Sequence, residues 1–363
     1  MMVSPRIVNA PAMSSLTEPI GSRMPKVYIV IVNWNGWRDT IECLESLFRL
    51  RFSDFRVVVC DNASSDGSIE KIMSWARGDL AAAARNNDLA HLTFPPVPKP
   101  IPFIQVSSDL ETKCIHGDDA PLALIQAGSN LGFAGANNLG LRFAQAQNDC
   151  DFAWLLNNDT VAEPGALEAL VTRMQQRPDA GICGSTLLYY DNPECVQALG
   201  GSVYNQWTGR GGHIGLGRSR ENLPSCREVE KRMKYVIGAS MLIRAEFLRE
   251  IGLMSEEYFL YFEEIDWAVR ARHRYSLAYA PESVVYHKEG ASIGTALIRA
   301  KRSRAAEYYA ARSCMLFTGK HFPFARVSVA IALIARSLYR FAAGNNANGK
   351  AVLSGIRDSM GQA

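Results

Sequence analysis

Two hydrophobic rhythms alternate along the first half of the chain. The β-branched run from Val27 to Val32 predicts a strand, closed by the turn formers Asn35 and Gly36. Ile41, Leu44 and Leu47 then recur at helical spacing, behind Asp39 or Thr40 as candidate caps. A second strand, Phe55 to Cys60, ends in the polar stretch Asp61 to Ser68, and a helix follows through Ile69, Ile72, Met73 and Trp75. This β-α-β-α order, with polar loops after the strands, predicts a doubly wound, mainly parallel α/β sheet flanked by helices. Between residues 80 and 120 the rhythm breaks. Pro95, Pro96, Pro98, Pro100 and Pro102 exclude a helix there and predict an extended surface excursion. It resumes with a short strand at Leu122–Gln126, a glycine-rich loop from Gly128 to Asn138, and a helix carrying Leu139, Leu141, Phe143 and Ala144.

The most informative stretch is Phe152 to Asp159. Five mostly large apolar residues predict a strand buried on both faces, and the run stops abruptly at Asn157, Asn158 and Asp159. Polar groups at the carboxyl end of such a strand lie where open α/β sheets bind ligands. One carboxylate among amides suits Mg²⁺ or a similar hard cation that also holds phosphate oxygens. Further on, a helix opens near Pro164 and a strand covers 182–190. The glycine-rich stretch 200–220, with Arg210, His213, Arg218 and Arg220, predicts a mobile loop, either solvated or reaching a phosphate. Tyr235 to Ile243 is a strand interrupted at Gly238-Ala239-Ser240. Two short strands, 277–280 and 283–287, bring His287 to a strand end. Beyond residue 300 the chain is helical and basic, with Lys301, Arg302, Arg304, Arg312 and Lys320. There the apolar run Val327–Ala335, bracketed by Arg326 and Arg336, is shorter than the roughly 20 residues needed to span a bilayer. It suits either an interfacial helix or one packed on the domain.

Composition narrows the class. A net charge of +3 argues against bulk nucleic-acid binding. The eight cysteines are scattered without a Cys-x-x-Cys pair, and residues 1–24 lack the apolar core of a secretory signal, so a reducing cytoplasmic setting is expected. The Gly128–Asn138 loop offers close backbone approach and a helix start to an anion, yet no Gly-x-Gly-x-x-Gly occurs, which disfavours a dinucleotide enzyme.

Taken together, Ile31 to Asn35, Asp61 to Ser68, Asn130 to Asn138, Leu155 to Asp159, Phe259 to Asp266, and His287 resemble the motifs of family-2 glycosyltransferases. These are inverting enzymes of the GT-A fold, and the bacterial rhamnosyltransferase-like branch is the most similar. The resemblance covers about residues 26–320. It implies a catalytic domain over 25–300 with the proline-rich insertion at 90–121, between a 1–24 tail and a basic helical extension at 301–363. It also implies a nucleotide-sugar donor (dTDP-rhamnose or a UDP-sugar), a glycan or lipid-linked acceptor in cell-surface polysaccharide synthesis, and Mg²⁺ or Mn²⁺. Peripheral contact with the inner face of the plasma membrane goes with that role. On this resemblance Val32, Asn33 and Trp34 flank the base, while Asp61 accepts the ring N–H that uracil and thymine share. Asn130, Gly132, Phe133, Gly135 and Asn138, with Asn158, line the donor; Asp159 and His287 hold the metal. Asn157 departs from the family's Asp-x-Asp motif and lowers the charge facing the cation, or else touches the sugar. A nucleotidylyltransferase would want a basic glycine-rich loop after the first strand, and none precedes Arg38. A membrane-associated scaffold with a degenerate site is the other alternative.

Three acids compete for the role of base. If a helix starts at Glu263, then Glu263 and Asp266 share a face and Asp266 reaches Arg270, which leaves Glu264 to turn about 100° away toward a cleft. Glu264, the second acid of the pair, also matches the family's base.

Overall fold

The computed structural model describes residues 23–83, 85–108, 120–288 and 302–360. Most of the expected 1–24 tail, the second part of the insertion with Cys114, and Lys301 lie outside the described residues. Strands β1 (Val27–Asn33), β2 (Phe55–Asp61), β3 (Phe103–Val106), β4 (Leu122–Gln126) and β5 (Phe152–Asn157) form the parallel half of a ten-stranded sheet. In it β1 lies between β2 and β5, with β4 and β3 outside β2. Successive side chains of β1 enter different cores: Tyr28 and Val30 on one face, Val27, Ile29 and Ile31 on the other. That is why the strand reads as an unbroken apolar run. Helix α3 (Gly132–Ala146) covers the first face, while α1 (Trp37–Leu47), α2 (Ser68–Arg77) and α4 (Ala166–Gln176) cover the second.

Beyond β5 the sheet becomes mixed. β6 (Thr160–Ala162), β7 (Ala180–Tyr189), β8 (Asn192–Leu199), β12 (Ser240–Arg244) and β13 (Ser276–His287) complete it, with β12 running antiparallel between β5 and β7. A separate three-stranded sheet holds β9 (Gly201–Asn205), β10 (Arg210–His213) and β11 (Tyr235–Val236). The expected mobile loop at 200–220 is therefore largely a hairpin, because alternating small residues pair as β9 and β10. The predicted strand 235–243 divides between the two sheets at Gly238-Ala239, and the two short strands ending at His287 are one strand with a register shift after Ala280. Neither Asp39 nor Thr40 caps α1; Gly36 stands at its N-cap, and the Thr40 hydroxyl donates to Asn33 Oδ1 instead.

The proline-rich excursion is packed rather than loose. Glu45, fully buried on α1, accepts from the Val97 N–H at 2.7 Å, from Lys99 Nζ at 3.0 Å and from the Trp75 indole at 2.8 Å. The segment ends in β3, an edge strand that the proline content concealed. The seven described cysteines are all free.

The chain closes with α5 (Cys226–Arg232), α6 (Ala245–Ile251), α7 (Glu263–Ala271), and the helices α8 (Arg304–His321), α9 (Arg326–Ala342) and α10 (Asn346–Met360). The last three share a small core of Ala311, Cys314, Met315, Val329, Leu333, Val352 and Ile356. Glu307, buried within it, is clamped by Arg336 and Arg340. Arg336, expected to bracket the apolar run from its C-terminal side, instead turns inward onto Glu307. Among the described residues no helix is long and apolar enough to cross a membrane.

Candidate active site

The carboxyl ends of β1, β2 and β5 lie in register, so Asn33 stands opposite Asp61 and Val32 opposite Asn157. Asn33 Nδ2 donates to Asp61 Oδ1 at 2.7 Å, and the Ser64 N–H donates to Oδ2 at 3.1 Å. The buried Asp61 carboxylate is fixed from both sides. It borders a hollow of about 420 Å³ whose other walls include Ala63, Ser64, Gln126 and Gly128. Val32, half-buried near the end of β1, and the exposed Trp34 after it are not among the residues that line this hollow. Asn130 accepts from Asn62 Nδ2 at 3.0 Å, and Asn62 in turn accepts from the Leu131 N–H at 2.8 Å. Asn62, not singled out from the sequence, thus ties the β2 loop to the glycine-rich loop.

Two asparagines expected at the donor brace the frame. Asn138 exchanges hydrogen bonds with the Met254 backbone and donates to Glu256 Oε1 at 2.8 Å. Asn158 Nδ2 reaches the Thr40 hydroxyl at 3.1 Å and holds the loop entering α1. Gly135 is buried in the first turns of α3.

Asp159 and His287 meet across the gap between β5 and β13. Asp159 Oδ1 lies 3.2 Å from His287 Nε2, and both residues are largely buried. The other ring nitrogen, Nδ1, is 2.8 Å from the buried Gln197 Oε1 on β8. An amide oxygen only accepts, so Nδ1 carries a proton and Nε2 is directed at Asp159. Asn157 Nδ2 lies 3.4 Å from the same Nε2. Burial alone would raise the Asp159 pKa, but His287, a backbone N–H and Lys288 outweigh it and hold the carboxyl below its ordinary range. An ionised oxygen and an oriented imidazole nitrogen at this spacing fit two neighbouring ligands of Mg²⁺ or Mn²⁺, whose remaining positions go to phosphate oxygens and water. No cluster of three or more His, Cys, Asp or Glu ligands occurs among the described residues. Nothing in the sequence marked Gln197, because its role depends on β8 folding back beside β13.

His213 ends β10 with Nδ1 2.8 Å from the Ser202 hydroxyl. Burial, then the charges of His287 and Arg302, push its pKa down.

The three acids have separate environments. Asp266 is fully buried and bonded to the Tyr258 hydroxyl at 2.9 Å, Arg270 Nε at 2.8 Å and His321 Nε2 at 2.6 Å. Burial opposes its ionisation, but His321, Arg270 and Lys320 prevail and bring its pKa down to about 2. It is a structural anion. Glu263 is buried, and burial together with the adjacent Glu264 charge raises its pKa well above the ordinary value. Glu264 is partly buried; burial raises its pKa too, against weaker opposing backbone N–H groups. Its Oε1 accepts from the Gly238 N–H at 3.3 Å, while the next residue, Ala239, accepts from the Asn157 N–H at 3.1 Å. One turn therefore joins Glu264 to the Asn157–Asp159 strand end. A Cβ on Gly238 would fall 2.5 Å from that carboxylate and 3.0 Å from the Phe133 ring, so this close approach needs glycine.

Backbone strain gathers directly before the acids. Phe259, Tyr261 and Phe262 have φ of 63°, 65° and 75°, in the left-handed region that bulky residues avoid. The Ser313 hydroxyl on α8 donates to the Tyr258 and Leu260 carbonyls at 3.0 and 2.9 Å, and Tyr309 stacks on Phe259 at 4.7 Å. From the other side the Phe133 N–H donates to the Phe259 carbonyl at 2.9 Å. The glycine-rich loop, the strained loop and α8 are one assembly.

The family model for glycosyltransferase like family 2 matches residues 106–310, more than half of the chain. A low-salt glycan biosynthesis hexosyltransferase of Haloferax volcanii, Agl10, is 29% identical over 46% of this chain and 50% of its own length. An N-acetylglucosaminyl-diphospho-decaprenol L-rhamnosyltransferase of Mycobacterium tuberculosis is 23% identical over 47% of this chain and 60% of its own. The match thus spans little more than half the length of these curated relatives. Among solved structures, the mannosyltransferase PcManGT of Pyrobaculum calidifontis, in complex with GDP-Man and Mn²⁺, shares the fold at a TM-score of 0.52, with 14% identity over 93% of this chain and 88% of that one. GalNAc-T7 with UDP, GalNAc and Mn²⁺ gives 0.54, at 12% identity over 82% of this chain and 48% of that one. The chain belongs to the family-2 glycosyltransferases and has their GT-A fold.

Proposed function

We propose that the protein is a metal-dependent, inverting glycosyltransferase that moves a hexosyl unit from a UDP- or dTDP-linked donor to a hydroxyl of a glycan or lipid-linked acceptor. The observation that carries this reading is the Asp159–His287 pair, oriented by Gln197 and joined through the Gly238-Ala239 turn to Glu264. Asp61 faces the base hollow, where its carboxylate accepts a ring N–H. Asp159 and His287 would hold the cation, which when bound offsets charge on the departing diphosphate. Glu264 takes the proton of the acceptor hydroxyl as its oxygen bonds to the anomeric carbon and the bond from that carbon to the diphosphate breaks on the opposite side. Its raised pKa brings it nearer to neutral, where a carboxylate is a stronger base. Asp266, fully engaged by Arg270 and His321, has no free face for this task.

The activities of the relatives, a hexosyltransferase and an N-acetylglucosaminyl-diphospho-decaprenol rhamnosyltransferase, support a hexosyl donor and, in the mycobacterial case, an acceptor carried on a lipid diphosphate. Family membership and the oriented metal pair tell against a nucleotidylyltransferase and a degenerate scaffold. A panel of UDP-, dTDP- and GDP-sugars incubated with Mn²⁺ or with chelator tests the reading. Release of UDP or dTDP only with metal is the expected outcome. Equal turnover in chelator, or preference for GDP, contradicts it.

A further inference from the structure

Strand β13 ends at His287, and the last side chain of a strand keeps its aim only if the residue after it is held, because element ends open first. Lys288 is that residue. Its N–H donates to the Asp159 carbonyl at 3.0 Å, and its ammonium lies 2.6 Å from Asp39 Oδ1 and 2.5 Å from Glu42 Oε2, both on α1. The Lys288 side chain is 10% exposed and that of Glu42 only 3%. Tyr190 closes the cluster. Its hydroxyl donates to Glu42 Oε1 at 2.6 Å, its ring centre lies 4.6 Å from the ammonium, and its backbone N–H donates to the His287 carbonyl at 3.1 Å. Arg85, from the start of the proline-rich excursion, pairs with Asp39 from the solvent side.

Burying a lysine between two carboxylates is a poor source of stability, since desolvating the three charges offsets much of their attraction. What the cluster provides is position. The same stretch of α1 carries Thr40, whose hydroxyl donates to Asn33 Oδ1 at 2.8 Å and accepts from Asn158 Nδ2 at 3.1 Å. Asn158 adjoins Asp159, Lys288 adjoins His287, and Asn33 holds Asp61. Residues 39–42 of one helix therefore grip the chain beside each member of the metal pair. With its nitrogen shared between two carboxylates, Lys288 is engaged by α1 and is not the group that meets a diphosphate.

We propose that Lys288 is a positioning residue for the metal: by spanning Asp39 and Glu42 it anchors the end of β13 to α1 and fixes the His287 ring at its spacing from Asp159. The inference rests on the reading of Asp159 and His287 as metal ligands, and it gives Lys288, Asp39 and Glu42 no contact with the cation.

The double variant Lys288→Met/Glu42→Gln removes the lock while keeping the shapes and the net charge, so a change in Mn²⁺ binding cannot come from an altered field. Titration followed by electron paramagnetic resonance should show Mn²⁺ affinity about 10- to 100-fold weaker, the range expected when a group that orients a ligand is lost. Electron spin-echo modulation from a coordinated imidazole nitrogen, present in the wild type, should fade in the variant. Affinity for UDP in chelator should stay unchanged, which shows the variant folded. Asp39→Asn, which removes one of the two ion pairs, should move both metal readouts the same way by less, and it carries the test should the double variant not fold. Wild-type Mn²⁺ affinity and spin-echo modulation in these variants, with only the melting temperature lowered, would make Lys288 a structural ion pair and overturn the proposal. A wild type that binds no Mn²⁺ would instead overturn the metal reading, and the proposal with it.

Discussion

At the residue scale, the site is a set of side chains whose neighbours fix their protonation. His287 is directed by Gln197, so Gln197→Leu, which removes the acceptor for Nδ1, is expected to weaken Mn²⁺ binding by about 10- to 100-fold. Gln197→Glu, which keeps an acceptor, should restore most of it. Titration followed by Mn²⁺ electron paramagnetic resonance reads this without turnover, and unchanged affinity in the leucine variant would remove Gln197 from the account. Asp159→Ala should abolish the metal-dependent part of nucleotide binding and leave the melting temperature within a few degrees. Glu264 also predicts a pH profile. Its pKa is raised, and the base works ionised, so activity falls as acid protonates it, at a pH above the ordinary value of 4.5. A profile flat down to pH 4.5 would place the working base elsewhere. The strand-end polar run Asn157-Asn158-Asp159 and the acids 263–266 were legible as chemistry because strand periodicity and helix-face geometry constrain neighbours in sequence. Gln197 and Asn62 were not, since each acts on a residue far along the chain.

At the scale of elements, α7 and α8 hold the strained turn that aims Glu264. Asp266 fastens α7 to His321 of α8, and Asp266→Asn should cost about 3–5 kcal/mol, the usual consequence of breaking a buried ion pair. Thermal denaturation would register that loss. Glu264→Gln, at a partly buried position with no ion pair to break, should leave stability nearly intact. The sign of the acid effect follows from Asp266's depressed folded pKa, about 2 against an ordinary 3.8: its contribution is complete above the unfolded value and disappears as pH falls through about 2. Ser313→Ala frees the Tyr258 and Leu260 carbonyls and should lower turnover more than donor affinity, which separate measurement of kcat and KM will show. The sequence disclosed the parallel strands because each is buried on both faces and reads as one apolar run. It concealed the β9–β10 hairpin, whose glycines suggested a loop, and the inward turn of Arg336, because helical position alone does not say which neighbour a long side chain meets.

At the scale of the molecule, the Asp61 hollow and the Asp159–His287 pair lie at strand ends of one sheet, and Glu264 of α7 reaches the start of β12 through the Gly238 N–H. Helix α8 braces the strained turn before Glu264 rather than trailing from it. The central claim is that one group, Glu264, moves the proton while others hold the donor. The most direct test compares donor affinity with donor turnover in Glu264→Gln. The account predicts affinity for the nucleotide with Mn²⁺ within about threefold of wild type and turnover lower by roughly 10²–10⁴-fold. Near-normal turnover in that variant, or affinity lost in step with turnover, would contradict it.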